Sequence, residues 1–164
     1  MENILTLKNN TLNWTEKRAA VFQTLLLVSA LALPAVCHAL GLPVYKILPM
    51  HWPILLAGLV YGWRSGLLLG AAAPLISFGL SGMPAGATLG FMVCELAVYG
   101  FAAGVFAEKF KINYFVSATA ALVLGKILFA VLSDGTAFLS AGVFAFAAQI
   151  IILPVLAYRW TRNS

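Results

Sequence analysis

The sequence predicts an all-α integral membrane protein with six transmembrane helices, short loops and both termini in the cytoplasm. Of its 164 residues, 62% are hydrophobic and only 9% are charged, whereas a soluble domain has about 25% charged residues. A helix needs about 20 residues to cross a bilayer, so the chain can form five or six spans with short connections. The ten Lys and Arg residues are scattered between apolar runs. They form no basic patch of the kind that binds nucleic acid.

The first half of the chain supplies three of the predicted spans. A polar amino tail covers residues 1–18, and the apolar run 19–40 begins too late and is too long for a cleaved signal sequence. Residues 41–53 contain three prolines and one lysine and are predicted to form a loop. The apolar stretch 53–82 is interrupted at residues 62–66 (GWRSG), so two helices fit it better than one.

Three further spans complete a predicted membrane domain of residues 19–158. A turn at residues 81–86 precedes the fourth span, residues 88–107, and the polar residues 108–113 end it. The fifth span covers residues 114–132, and a turn at 133–136 leads to the sixth, residues 137–158. The remaining residues, 159–164, form a basic carboxyl tail that we expect at the membrane interface.

The positions of the cations predict the orientation of these spans. With six spans, eight cations share the face that carries both tails, and only Lys46 lies on the opposite face. Because Lys and Arg are enriched in cytoplasmic loops, this face is predicted to be cytoplasmic. Three loops, residues 41–52, 81–87 and 133–136, are then outside. The eight cations are Lys8, Lys17, Arg18, Arg64, Lys109, Lys111, Arg159 and Arg162.

Two ionisable residues, Glu95 and Lys126, fall inside predicted spans, at similar depths of about 10 Å below the outer ends. A charged residue at the bilayer centre costs at least about 2.5 to 3.5 kcal/mol on insertion scales. The two residues either form a buried ion pair that joins two helices or line a pocket that opens outward. In such a pocket Lys126 would bind a carboxylate and Glu95 an amine or ring N–H. Tyr99 follows Glu95 at i+4 and would share that pocket.

The predicted outer loops supply further candidates. Tyr45, His51 and Trp52 are suited to holding a small ring compound, although Trp and Tyr also gather at membrane interfaces. Asp134 either contacts substrate or forms an Asp-Gly turn. Without a paired ligand at metal-binding spacing, the histidines predict no metal site. The candidate substrate-binding residues are therefore His51, Trp52, Glu95, Tyr99, Lys126 and Asp134.

Small residues recur at the spacing that lets membrane helices approach closely. Gly58, Gly62, Gly66 and Gly70 repeat every four residues, and Gly100 and Gly104 continue the pattern in the fourth span. The first span also carries small residues, which either pack against its own bundle or form a surface for a second protein. These residues are Ser29, Ala30, Ala32, Ala35 and Ala39.

The sequence contains no pattern typical of an enzyme. It has no phosphate-binding glycine loop, no nucleophile with a base at a recognisable spacing and no cluster of carboxylates for a metal. We therefore expect a non-enzymatic protein without a cofactor. ATP-driven transport would require a partner that binds ATP. The alternative to a transport subunit is a membrane scaffold or assembly subunit, which would use the glycine faces to hold other helices.

Three segments resemble the substrate-binding S components of energy-coupling factor (ECF) transporters. They are residues 48–58 (LPMHWPILLAG), residues 74–77 (PLIS) with 81–84 (SGMP), and residues 95–100 (ELAVYG). The resemblance spans about residues 20–160. It implies a six-helix plasma-membrane protein that binds a vitamin or related micronutrient with its outer loops. It also implies association with a transmembrane coupling protein and two ATPase subunits. Residues 35–39 (AVCHA) match the family's first-helix alanine motif only loosely.

Overall fold

The chain forms a bundle of helices with six segments long enough to cross a membrane. The computed structural model describes residues 11–132 and 142–163. Within them, every regular element is helical, which confirms the predicted class. The second membrane segment, Val44–Tyr61, consists of a one-turn helix and a longer helix. The elements are α1 (Lys17–Ala39), α2 (Val44–Ile47), α3 (His51–Tyr61), α4 (Trp63–Ser81), α5 (Gly86–Gly104), α6 (Tyr114–Leu132) and α7 (Val143–Arg162).

Hydrogen bonds and packing between distant parts of the chain define two ends of the bundle. At the end that we call the terminal end, the Leu12 amide donates to the Val60 carbonyl (2.7 Å), and the Tyr114 hydroxyl donates to Thr161 Oγ1 (3.3 Å). At the opposite end, which we call the loop end, Gly142 packs closely against Leu48, because a Cβ added to Gly142 would touch the Leu48 side chain. The loop end carries residues 40–50 and 82–85 together with the start of α7.

The connection between the first two spans is more helical than predicted. Instead of one loop over residues 41–53, it contains α2, and α3 already begins at His51. Pro43 lies just before α2 and Pro53 in the first turn of α3, where proline costs no intrahelical hydrogen bond. Leu48, with φ 51°, separates the two helices. The prolines therefore begin helices here rather than prevent them.

The predicted five-residue interruption at residues 62–66 is a single residue. Gly62 has φ 85°, a conformation that glycine adopts without strain, and α4 begins at the next residue. The first amide of α4, that of Trp63, donates to Glu108 Oε2 (3.2 Å). A carboxylate at a helix amino terminus satisfies a free N–H group and interacts favourably with the helix dipole.

The predicted glycine faces are used inside the bundle, where α4 and α5 are the most extensively packed pair of helices. A Cβ on Gly66 would collide with the Gly100 backbone, and one on Gly70 would collide with the Leu96 backbone. Gly104 faces the Gly62–Trp63 backbone in the same way. These residues permit backbone contact between helices that have no hydrophobic drive to associate in lipid.

The ends of the later helices also differ from the predicted bounds. A π-helical turn, Val105–Lys109, extends α5 beyond the predicted end of the fourth span. At the carboxyl end, α7 continues to Arg162, so residues 159–162 are helical. The predicted sixth span starts at residue 137, but residues 137–141 lie outside the described part of the chain, as does the turn 133–136.

The first helix packs at the edge of the bundle and is the least buried of the six membrane segments. Gln23 joins it to α4 by accepting a hydrogen bond from the Ser65 hydroxyl (2.9 Å). Of its small residues, Ala30 is fully buried, whereas Ala32, Ala35 and Ala39 are exposed. The small face of α1 is thus divided between internal packing and a free surface.

Candidate substrate-binding site

A buried polar cluster joins α3, α5 and α6, and its centre is the Glu95 carboxylate of α5. Glu95 Oε1 accepts a hydrogen bond from the Tyr99 hydroxyl (3.0 Å) and one from Lys126 Nζ of α6 (3.5 Å). Glu95 is 6% exposed and Tyr99 is fully buried. The i+4 spacing of Glu95 and Tyr99 places both side chains on one face of α5, as the sequence predicts. The structure thus brings Glu95, Tyr99 and Lys126 together.

His51 reaches this cluster from the first position of α3. Its Nε2 lies 3.9 Å from Glu95 Oε1, which is too long for a hydrogen bond, and its ring contacts Tyr99 at 5.1 Å between centroids. The imidazole is 3% exposed, and neither ring nitrogen has a hydrogen-bond partner within the described residues. Because an unsatisfied buried polar group costs about 1 to 3 kcal/mol, these nitrogens are available for a ligand or a water molecule.

Aromatic rings surround the ammonium group of Lys126. Its Nζ lies 4.9 Å from the centre of the Phe129 ring and 5.1 Å from that of Phe146 in α7. Both distances fall within the range of cation–π attraction. A Cβ on the neighbouring Gly125 would collide with the Tyr99 ring, so a glycine is needed where α6 passes this ring. Lys126 is therefore held by one carboxylate and two rings.

A cavity of about 540 Å³ lies beside the cluster at the loop end, and His51 is the residue common to both. It is bounded by the carboxyl-terminal part of α1, the segment 42–50, the end of α4, residues 83–84 and Met92 of α5. Its volume is within the range of about 300 to 1,000 Å³ that is typical of small-molecule sites. A smaller groove of about 340 Å³ continues from it between α1 and α4, sharing Pro34, His38, Ser77 and Met83.

Two of the predicted site residues are not part of the cluster. The Trp52 indole donates to the Ile47 carbonyl (3.0 Å) and so fastens α2 to the start of α3. Asp134 lies outside the described residues. Among the residues that the structure does describe, no group of three or more His, Cys, Asp and Glu side chains could hold a metal ion.

Some residues of the site carry no clear signal in the sequence. Phe146 is one of eleven phenylalanines, and only the fold brings it to Lys126 and Tyr99. Met50, Met83 and Met92 line the cavity, although the first two already fall in or beside loops predicted to be outside. Gln149 of α7 is fully buried, and both of its amide atoms lack a partner in the described structure. A glutamine within an apolar run is unusual, so the sequence position of Gln149 could have identified it as a candidate site residue.

The fold defines a multi-pass helical membrane protein, and one end of its bundle contains a cavity whose volume suits a small molecule. The chain belongs to the family of substrate-specific components of ECF transporters, whose family model matches residues 18–163. No curated protein and no solved structure matched the chain. The protein is accordingly a plasma-membrane transport subunit that binds substrate and is not an enzyme. Proteins of this family work with an ECF transmembrane component and ATPases.

Proposed function

We propose that this chain captures a vitamin or a related micronutrient at the outer face of the plasma membrane. The observation that carries this proposal is the cavity of about 540 Å³ that ends on the unpartnered His51 imidazole. An apolar cavity with a few polar groups is the usual form of a small-molecule site. Delivery into the cell then depends on an ECF transmembrane coupling protein and two ATPase subunits.

The loop end faces outward in this proposal, and both termini are cytoplasmic. Arg64, Lys109 and Arg159 lie near the terminal end, whereas Lys46 is the one cation in the described connections of the loop end. This distribution agrees with the enrichment of Lys and Arg in cytoplasmic segments. The cavity therefore opens toward the side from which a nutrient arrives.

The binding site combines the cavity with the cluster next to it. His51 contacts the ligand, and Glu95, Tyr99 and Lys126 set the position and polarity of its imidazole. Trp52 stabilises the segment that covers the cavity through its hydrogen bond to Ile47. We retain Asp134 as a candidate because it follows α6, which carries Lys126.

The free face of α1 is the surface that we assign to the coupling protein. Ala32, Ala35 and Ala39 are exposed on it, and small residues allow close approach of a second helix. The glycines that a scaffold subunit would offer to other helices are instead occupied by contacts between α4 and α5. Their internal use favours substrate capture over a scaffolding role.

Mass spectrometry of small molecules retained by the purified protein tests this function. Ser77 lines the cavity, so Ser77→Phe places a ring in its space and should abolish retention. Gly79→Phe is the matched control, because Gly79 is exposed and a Cβ there would meet nothing within 4 Å. We expect the wild type and the control to retain a compound that Ser77→Phe does not retain. Equal retention by all three would contradict the assignment of the cavity.

A further inference from the structure

The cavity has an unusual composition. The chain contains four methionines, and the three that follow Met1 all line it. Four of the seven prolines, Pro34, Pro43, Pro49 and Pro84, also line it. None of its described lining residues is Asp, Glu, Lys or Arg. The walls are therefore apolar and polarisable and, because proline fixes φ, locally rigid.

The nearest buried charges already neutralise each other. Glu95 and Lys126 are 3.5 Å apart, and Lys126 is further held by the rings of Phe129 and Phe146. A ligand carboxylate or ammonium in the cavity would lose its water without gaining an opposite charge from the described lining residues. Such a transfer is strongly unfavourable.

His51 offers one directional polar contact to a ligand in this cavity. A neutral imidazole carries one N–H donor and one acceptor nitrogen, and both ring nitrogens lack a hydrogen-bond partner in the described structure. The other polar side chains of the described lining, those of His38, Tyr45 and Ser77, are exposed or half-buried, and the rest of the lining is hydrocarbon or thioether. A ligand that fits must therefore match the one buried polar group and otherwise fill mostly apolar space.

We propose that the ligand of this cavity is an uncharged, largely aromatic ring compound that contacts the three methionines and exchanges a hydrogen bond with His51. This inference rests on the proposed function and specifies its substrate class. Thioether sulfur makes favourable contacts with aromatic rings. This ligand class differs from the charged ligand that Glu95 and Lys126 indicate when the sequence is considered alone.

Binding of matched compounds to the purified wild-type chain tests the charge of the ligand. The probes are nicotinamide with nicotinate, pyridoxine with 4-pyridoxate, and 6-methylpterin with pterin-6-carboxylate. Each pair shares a ring and differs by one carboxylate. Compounds retained by the protein are identified in parallel by mass spectrometry. We expect any pair that binds to favour its uncharged member at least about tenfold, and any retained compound to be an uncharged ring.

A variant tests the contact with His51. His51→Phe keeps a ring against Tyr99 but removes both nitrogens, so the affinity of the uncharged compound should fall about threefold to tenfold. Tyr114→Phe is the control, because it removes a hydroxyl at the opposite end of the bundle and should leave the affinity unchanged. Unchanged binding by a correctly folded His51→Phe protein would overturn the proposal.

The outcomes also separate this inference from the proposed function. A retained or tightly bound anionic or cationic compound would refute the substrate class but leave the capture function in place. If the protein neither retains nor binds any small molecule, both proposals fail. Retention of an uncharged ring outside the three pairs supports both.

Discussion

The His51 Nε2 atom lies 3.9 Å from Glu95 Oε1. His51, which lines the cavity, therefore also faces the only buried carboxylate in the described part of the chain. Through this contact the cavity and the charged cluster form one unit. In the proposed site, a ligand bound to His51 would lie next to Glu95, and replacement of Glu95 should shift the His51 imidazole.

Loss of one charge of the Glu95–Lys126 pair should destabilise the protein more than loss of both. Glu95→Gln leaves the partly buried Lys126 ammonium without a counter-charge, which costs up to about 3 to 5 kcal/mol. The double variant Glu95→Gln/Lys126→Met removes both charges and should recover most of the thermal stability. Melting temperatures of the purified variants in detergent test this order. A double variant less stable than either single variant would contradict it.

The same double variant should bind ligand less tightly although it folds. Glu95 acts on the ligand only through the position of the His51 imidazole, so its loss should weaken binding by no more than loss of the His51 hydrogen bond does, about threefold to tenfold. Calorimetric titration with the compound identified by mass spectrometry measures this change. Unchanged affinity would remove Glu95 and Lys126 from the site and leave them as a structural pair.

The backbone contact between α4 and α5 should tolerate no added methyl group. A Cβ on Gly66 would collide with the Gly100 backbone, so Gly66→Ala should destabilise the protein by about 1 to 3 kcal/mol. Gly90→Ala, also within a membrane helix, is the control because its Cβ meets nothing within 4 Å. Thermal unfolding of both variants tests the packing. Equal melting temperatures would show that the helices are farther apart.

The orientation can be measured with single cysteines in a protein whose Cys37 and Cys94 are replaced by alanine. Lys46→Cys and Ala85→Cys, both exposed at the loop end, should react with a membrane-impermeant maleimide in intact cells. Arg64→Cys is exposed at the terminal end and should react only after the membrane is opened. Labelling of position 64 in intact cells would reverse the proposed topology.

Much of the fold could be predicted because membrane helices leave a direct signal in hydropathy. The six spans are confirmed, and the glycine repeats correctly indicated close helix contacts. The helix boundaries were less certain because proline and glycine either end or begin a helix, depending on position. Pro53 lies in the first turn of α3, and Gly62 alone ends it, where five residues were predicted to interrupt the chain.

The candidate site was predicted in part, for a physical reason. Glu95 and Lys126 are conspicuous because charges are costly inside a membrane, and their similar depth indicated that they could meet, as they do in the structure. Phe146 and Met92 are ordinary residues in apolar segments, so only the fold identifies them. The charge of the ligand could not be predicted from Glu95 and Lys126 alone, because pairing cancels their charges.

Reconstituted uptake tests the central claim, that this chain captures substrate for an ATP-driven transporter, most directly. Vesicles that contain the chain alone should bind the labelled compound identified by mass spectrometry without accumulating it, with or without ATP. Vesicles that also contain the ECF coupling protein and both ATPase subunits should accumulate it only when ATP is supplied. Accumulation by the chain alone at the rate of the complete complex, or ATP-dependent uptake that does not require this chain, would contradict the account.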